Sequence, residues 1–97
     1  MPIIPEIAAR QAALTEIRRD IHAYPELAFE EARTADLVAS LMERWGLEVH
    51  RGVGQTGVVG VIYNGDSKRV IGLRADMDAL PIEEANMFAH RSRHAGC

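Results

Sequence analysis

The apolar run Arg69-Val70-Ile71-Gly72-Leu73 leads directly into Arg74-Ala75-Asp76-Met77-Asp78-Ala79-Leu80-Pro81. The apolar run predicts a strand that ends in two aspartates, two residues apart. Residues i and i+2 of an extended chain share a face, so Asp76 and Asp78 are placed to converge on one site. In open α/β sheets the carboxyl edge is where ligands and metals collect. Two carboxylates held together repel unless a cation, a donor network or a shared proton offsets the charge. Spacing alone leaves a plain polar turn as the competing reading.

The rest of the chain predicts an α/β arrangement of two helices followed by three strands. Ile7, Leu14, Ile17 and Ile21 recur at helical spacing, with Arg10, Glu16, Arg18 and Arg19 largely off that stripe. Pro5 suits a first helical turn, and Pro25 stops the helix and biases Tyr24 toward extended backbone. A second helix is expected from Glu30 to Trp45, with Val38, Leu41, Met42 and Trp45 as its buried stripe and Gly46 as its C′ residue. Leu47 to Gly52 alternates as a half-buried strand does, whereas Gly57 to Tyr63 is apolar enough to be covered on both faces. Asn64-Gly65 marks a turn, and Arg69 to Ala75 returns as the third strand.

Composition narrows the functional classes. Ninety-seven residues make one domain at most, and a formal net charge of -3 offers no electrostatic footprint for nucleic acid. A single cysteine makes no internal disulfide, which points to a reducing compartment, the cytoplasm. The start Met1-Pro2-Ile3-Ile4-Pro5-Glu6 lacks the basic region and apolar core of a signal peptide, and no apolar run approaches the ~20 residues that span a bilayer.

Several constellations carry two readings. Gly52-Val53-Gly54-Gln55-Thr56-Gly57 matches the G-x-G-x-x-G spacing, but that fingerprint needs a helix opening at its last glycine. The β-branched Val58-Val59-Gly60-Val61-Ile62 follows instead, so a loop between strands is favoured. His22 and Glu26 are spaced for one helical face, yet Pro25 breaks it. They are expected to bond neighbouring backbone where the first helix ends. His90, His94 and Cys97 are zinc-type ligands without a standard spacing, and with Arg91 and Arg93 they read as a solvated surface loop. His50 falls on a strand's polar face, and Trp45 reads as a core anchor.

Three stretches occur in order: Asp20-Ile21-His22-Ala23-Tyr24-Pro25-Glu26-Leu27-Ala28-Phe29-Glu30-Glu31, Thr56-Gly57-Val58-Val59-Gly60, and Leu73-Arg74-Ala75-Asp76-Met77-Asp78-Ala79-Leu80-Pro81-Ile82. Together they resemble the amino-terminal part of M20-type metallo-amidohydrolases, in the branch of hippurate, N-acyl-amino-acid and auxin-conjugate hydrolases. That resemblance implies hydrolysis of an N-acyl amino acid by a larger α/β catalytic domain using Mn²⁺ or Zn²⁺. It further implies homodimerisation through a separate domain of which residues 1–97 contain nothing; charge and hydropathy, as above, point to no nucleic-acid or membrane partner.

Family members are several times longer, and their hallmark reads Met-His-Ala-Cys-Gly-His-Asp. Phe88 to Gly96 resembles the lead-in to it, so Cys97 aligns ahead of the hallmark and not with its metal-binding cysteine. The resemblance therefore implies a fragment that is inactive and binds no metal alone. It assigns Asp78 to orienting a histidine ligand of the catalytic metal and makes Asp76 a weaker candidate for the same neighbourhood. Two alternatives stay open. One is a non-catalytic α/β binding or interaction module. The other resembles haloacid-dehalogenase-like phosphatases, with Asp76 as nucleophile and Asp78 as general acid; it leaves His22 to Glu31 unexplained.

Overall fold

A computed structural model describes residues 2–97, which form three helices and a two-stranded antiparallel sheet in the order α1 (Pro5–Ala8), α2 (Gln11–Ala23), α3 (Ala32–Arg44), β1 (Glu48–Val53) and β2 (Gly57–Val61). The chain divides into two compact units. One joins the residues up to Pro25 to Pro81–Cys97, and the other is Glu26–Leu80.

In the first unit the expected single helix is two. Pro5 opens α1 at its first turn, but the Arg10 N–H bonds the Ile7 carbonyl at 3.0 Å, a tightened i→i−3 step that ends α1 before α2 begins. Nothing in α1 is buried, so no packing straightens that break. α2 stops at Ala23, and Tyr24, at φ −123° and ψ 63°, has left the helical region that Pro25 disfavours without reaching fully extended backbone.

In the second unit α3 lies against both strands. Its half-buried Leu41 and Met42 face the sheet, and a Cβ on Gly60 would meet the Met42 sulfur. Helix and sheet approach closely there because Gly60 has no side chain. Gly46, at φ 85°, turns the chain out of α3 in the left-handed conformation expected of a C′ glycine. That turn leaves Trp45 at the C-cap, 55% exposed, so it is not the core anchor its spacing suggested.

The hairpin pairs Glu48 with Val61 and Arg51 with Val58, and its register shifts between Arg51 and Val53. Gly52, at φ 71°, is the extra residue of this bulge. Gly54 and Gln55 also have positive φ, so the G-x-G-x-x-G stretch is a tight hairpin turn, and Gly57 begins a strand and no helix. Arg51 clamps β1 to α3 through Asp36 at 2.7 Å and Glu43 at 3.2 Å. Both pairs are exposed, where solvent screening leaves an ion pair little net contribution to stability. His50 is exposed, as expected, and bonds Glu48 at 2.9 Å.

The α/β character stands, but a third strand is not seen. Residues 69–75 have no ladder partner among the described residues, and Val70, Ile71 and Leu73 are 86–94% exposed. Ile62 and Tyr63 are exposed beyond the end of β2, so the expected burial of Gly57 to Tyr63 on both faces fails. Buried apolar residues are few, Ala23 and Ala39 being the described ones, and the fully buried Thr34 fills the centre of the second unit. Among the described residues no helix is long and apolar enough to cross a membrane.

An open apolar face of this kind binds hydrophobic dyes and promotes association. The chain is expected to bind such a dye and to self-associate. Replacing Val70, Ile71 and Leu73 together with threonine should lower dye binding without changing helix content by circular dichroism. Dye binding that is absent, or unaltered by the triple replacement, would show that this segment is covered in solution.

Candidate functional site

The start of α3 organises the second unit. A helix leaves its first N–H groups without intrahelical partners. The N-cap residue here, Glu31, makes no side-chain cap bond. Glu26, several residues upstream, does the capping instead. One carboxylate oxygen accepts the Thr34 N–H at 2.6 Å and the Thr34 hydroxyl at 2.7 Å, and the other accepts the Arg33 N–H at 3.0 Å. Partial burial pushes the Glu26 carboxyl upward. The bonds from the Thr34 hydroxyl and from the Arg33 and Thr34 N–H groups outweigh it, and the net pKa lies below the ordinary carboxylate value. The Glu26 carboxylate also sits at the positive end of the helix dipole.

Glu31 is buried and accepts the Thr56 hydroxyl at 2.5 Å, which ties the hairpin turn to the same helix end. That bond, first among its causes, holds the Glu31 carboxyl below its ordinary value. The third contact is from main chain to main chain. The Ala79 N–H donates to the Glu26 carbonyl at 2.8 Å. The three stretches singled out in the sequence, around His22–Glu31, Thr56–Gly60 and Leu73–Ile82, are therefore joined through hydrogen bonds at Glu26 and Glu31.

Asp76 and Asp78 lie just before that anchored N–H. Asp76 accepts from Arg74 Nε at 3.1 Å in an exposed pair, and Asp78 is exposed. Neither joins a ligand cluster, since among the described residues no three of His, Cys, Asp and Glu come close enough to hold a metal ion. Their hard oxygen donors suit the neighbourhood of a divalent cation. The donor set fits a supporting role beside such a cation and does not make a complete site.

The first unit holds a second polar cluster, which sequence reasoning missed. His22 does not bond backbone at the end of α2. Its Nε2 lies 2.9 and 3.1 Å from the two oxygens of Glu84. Glu84 also accepts the Ser92 N–H at 2.7 Å and the Asn86 amide at 3.2 Å. These bonds, His22 first and Ser92 next, hold the Glu84 carboxyl at about 2. His90 stacks on Phe88 with ring centroids 4.0 Å apart, and desolvation, followed by the charges of Arg19 and Arg18, lowers its pKa. His94 Nδ1 lies 2.8 Å from the Pro25 carbonyl, and the Arg93 guanidinium sits 5.7 Å from the Tyr24 ring centroid.

The expected solvated loop is thus fastened to the end of α2, and Cys97 Sγ points at the same Pro25 carbonyl at 3.8 Å. A partner 62 residues away leaves no periodic signal, so only the residue type of His22 hinted at a polar contact.

No family model matches the chain. Individual proteins do. The hippurate hydrolase of Campylobacter jejuni is 48% identical over 93 residues, covering 96% of this chain and 24% of that protein. The N-acyl-L-amino acid amidohydrolase of Geobacillus stearothermophilus is 42% identical over 80 residues, 81% of this chain and 21% of that protein. The crystal structure of the Bacillus subtilis YXEP protein, a dinuclear metal-binding peptidase of the M20 family, superposes with a TM-score of 0.84 at 34% identity over 92% of this chain and 25% of that one. The shared helix-and-hairpin fold and these identities place the chain in the M20 family of amidohydrolases and peptidases, of whose members it spans about a quarter of the length. Neither the phosphatase reading nor the non-catalytic module finds support among these relatives.

Glu84 carries the pH prediction of this region. Its folded pKa is depressed, so its contribution is present above the usual value of 4.5 and is lost as pH falls toward about 2. A carbon-detected NMR titration should place the Glu84 carboxyl midpoint near 2, and His22→Ala should move it up toward 4.5. An unshifted midpoint in the unmodified chain would contradict the pairing.

Proposed function

We propose that residues 1–97 are the amino-terminal part of the catalytic domain of a metal-dependent amidohydrolase that cleaves the amide bond of N-acyl amino acids of the hippurate type. The observation that carries this reading is the placement of the Asp76 and Asp78 pair beside the α3 end. Asp78 stands exposed next to an N–H that is fastened to the α3 end. In this reading Asp78 accepts a hydrogen bond from a metal-holding histidine and fixes its tautomer and orientation, while its charge raises the basicity of that histidine. Asp76, paired with Arg74, contributes negative charge in the same neighbourhood.

The cation is Mn²⁺ or Zn²⁺, and when bound it supplies Lewis acidity toward the amide carbonyl. The chain's own residues hold and orient; the reaction requires ligands and a general base that they do not bring together. In the longer protein, residues 69–75 gain the strand partner and cover that they lack here. The protein works in the cytoplasm and dimerises through a separate domain. The name of the dinuclear M20 peptidase supports a divalent metal, and the names of the hippurate and N-acyl-amino-acid hydrolases support the substrate class.

Two measurements test this. The 97-residue chain, incubated with Mn²⁺ or Zn²⁺ and hippurate, should release no glycine above a metal-only blank. In the full-length protein, Asp78→Ala should lower metal affinity or activity by about 10–100-fold while the fold survives, and Asp78→Asn should be milder because its amide oxygen still accepts. Full activity with unchanged metal content in Asp78→Ala would reduce the strand-end pair to a polar turn.

A further inference from the structure

We propose that Glu26 is a positioning residue for Asp78, acting through one continuous hydrogen-bonded path from the first turn of α3 to the Asp78–Ala79 peptide. The inference rests on the role given to Asp78 above. The path has two halves. The Glu26 carboxylate accepts three bonds from Arg33 and Thr34, and the Glu26 carbonyl accepts the Ala79 N–H at 2.8 Å. That N–H belongs to the planar peptide unit linking Asp78 to Ala79, so holding it restricts the backbone torsion of Asp78 itself.

The far end of the path is packed, since Thr34 is fully buried. Residues 69–75, on the near side, have no ladder partner among the described residues. Within Glu26–Leu80 the Ala79 bond is therefore a tether from the segment that carries Asp78 to a packed helix. A tether to the Glu26 main chain is only as fixed as the Glu26 side chain makes it. A carboxylate accepts at both oxygens, whereas a glutamine in its place turns an N–H₂ toward one of the N–H donors and releases it. The loop that carries the Glu26 carbonyl then shifts, and Asp78 shifts with it.

This separates positioning from mere support of the fold. If Glu26 acts through Asp78, its effect on metal binding disappears once Asp78 is gone. If it only stabilises α3, its effect is the same with or without Asp78. The experiment is a double-mutant cycle in the full-length protein, titrating the metal-free form with Mn²⁺ alone by calorimetry and following the thermal midpoint of each variant. Glu26→Gln should weaken Mn²⁺ binding about 10-fold, the lower end of what losing an outer contact costs. In the Asp78→Ala background the same change should cost less than about 2-fold, near the limit of additivity for uncoupled sites. If Glu26→Gln does not fold, Thr34→Val removes one of the three donors at constant shape and should show the same dependence on Asp78 with a smaller loss.

An equal loss in both backgrounds, or a lowered thermal midpoint with unchanged Mn²⁺ affinity, would overturn the proposal and leave the role of Asp78 intact. Unchanged Mn²⁺ affinity in Asp78→Ala alone would overturn the functional reading and this inference with it.

Discussion

The free N–H groups at the start of α3 are the constraint on which the second unit depends. A helix end needs acceptors, and the residue best placed by sequence position to supply one, Glu31, is turned toward Thr56 instead. Glu26 fills the vacancy from outside the helix, with charge as well as hydrogen bonds. Among the described residues of this unit only Thr34 and Ala39 are fully buried. The two glutamates also fix where the loop after Pro25 and the hairpin turn lie, so the polar contacts set the geometry that a thin apolar core does not.

The apolar surface has a matching logic. Val70, Ile71 and Leu73 have the composition of an interior strand and none of its surroundings within the described residues. The helix α2 likewise leaves Leu14 open. A chain spanning a quarter of its relatives' length keeps the local structure that short-range hydrogen bonds and helix-on-hairpin packing determine. It leaves Val70, Ile71, Leu73 and Leu14 exposed.

That division explains what was legible in the residues. Local rules worked where the interactions are local. Pro25 ended α2, Gly46 took the left-handed conformation after α3, and the β-branched run after Gly57 excluded a phosphate-binding helix. Asp76 and Asp78 were visible because their i, i+2 spacing and the apolar run before them lie within one short stretch. Long-range partners were hidden. Nothing near His22 announces Glu84, and nothing near Ala79 announces the Glu26 carbonyl. Trp45 misled because a helical stripe carries no information about the turn at which the helix ends. Strand 69–75 misled because pairing requires a neighbour that periodicity does not supply.

The role proposed for Glu26 is to join the start of α3 to the Asp78–Ala79 peptide, so that both respond to one carboxylate. Amide hydrogen exchange of Arg33, Thr34 and Ala79, corrected for intrinsic rates and followed as pH is lowered, tests it most directly. The Glu26 carboxyl lies below its ordinary value, so its bonds persist through the usual carboxylate range and fail at lower pH. The three amides should then lose protection together, with one midpoint, and lose it at higher pH when the Thr34 hydroxyl is removed. Protection of Ala79 that is indifferent to Glu26 protonation, while Arg33 and Thr34 open, would contradict it.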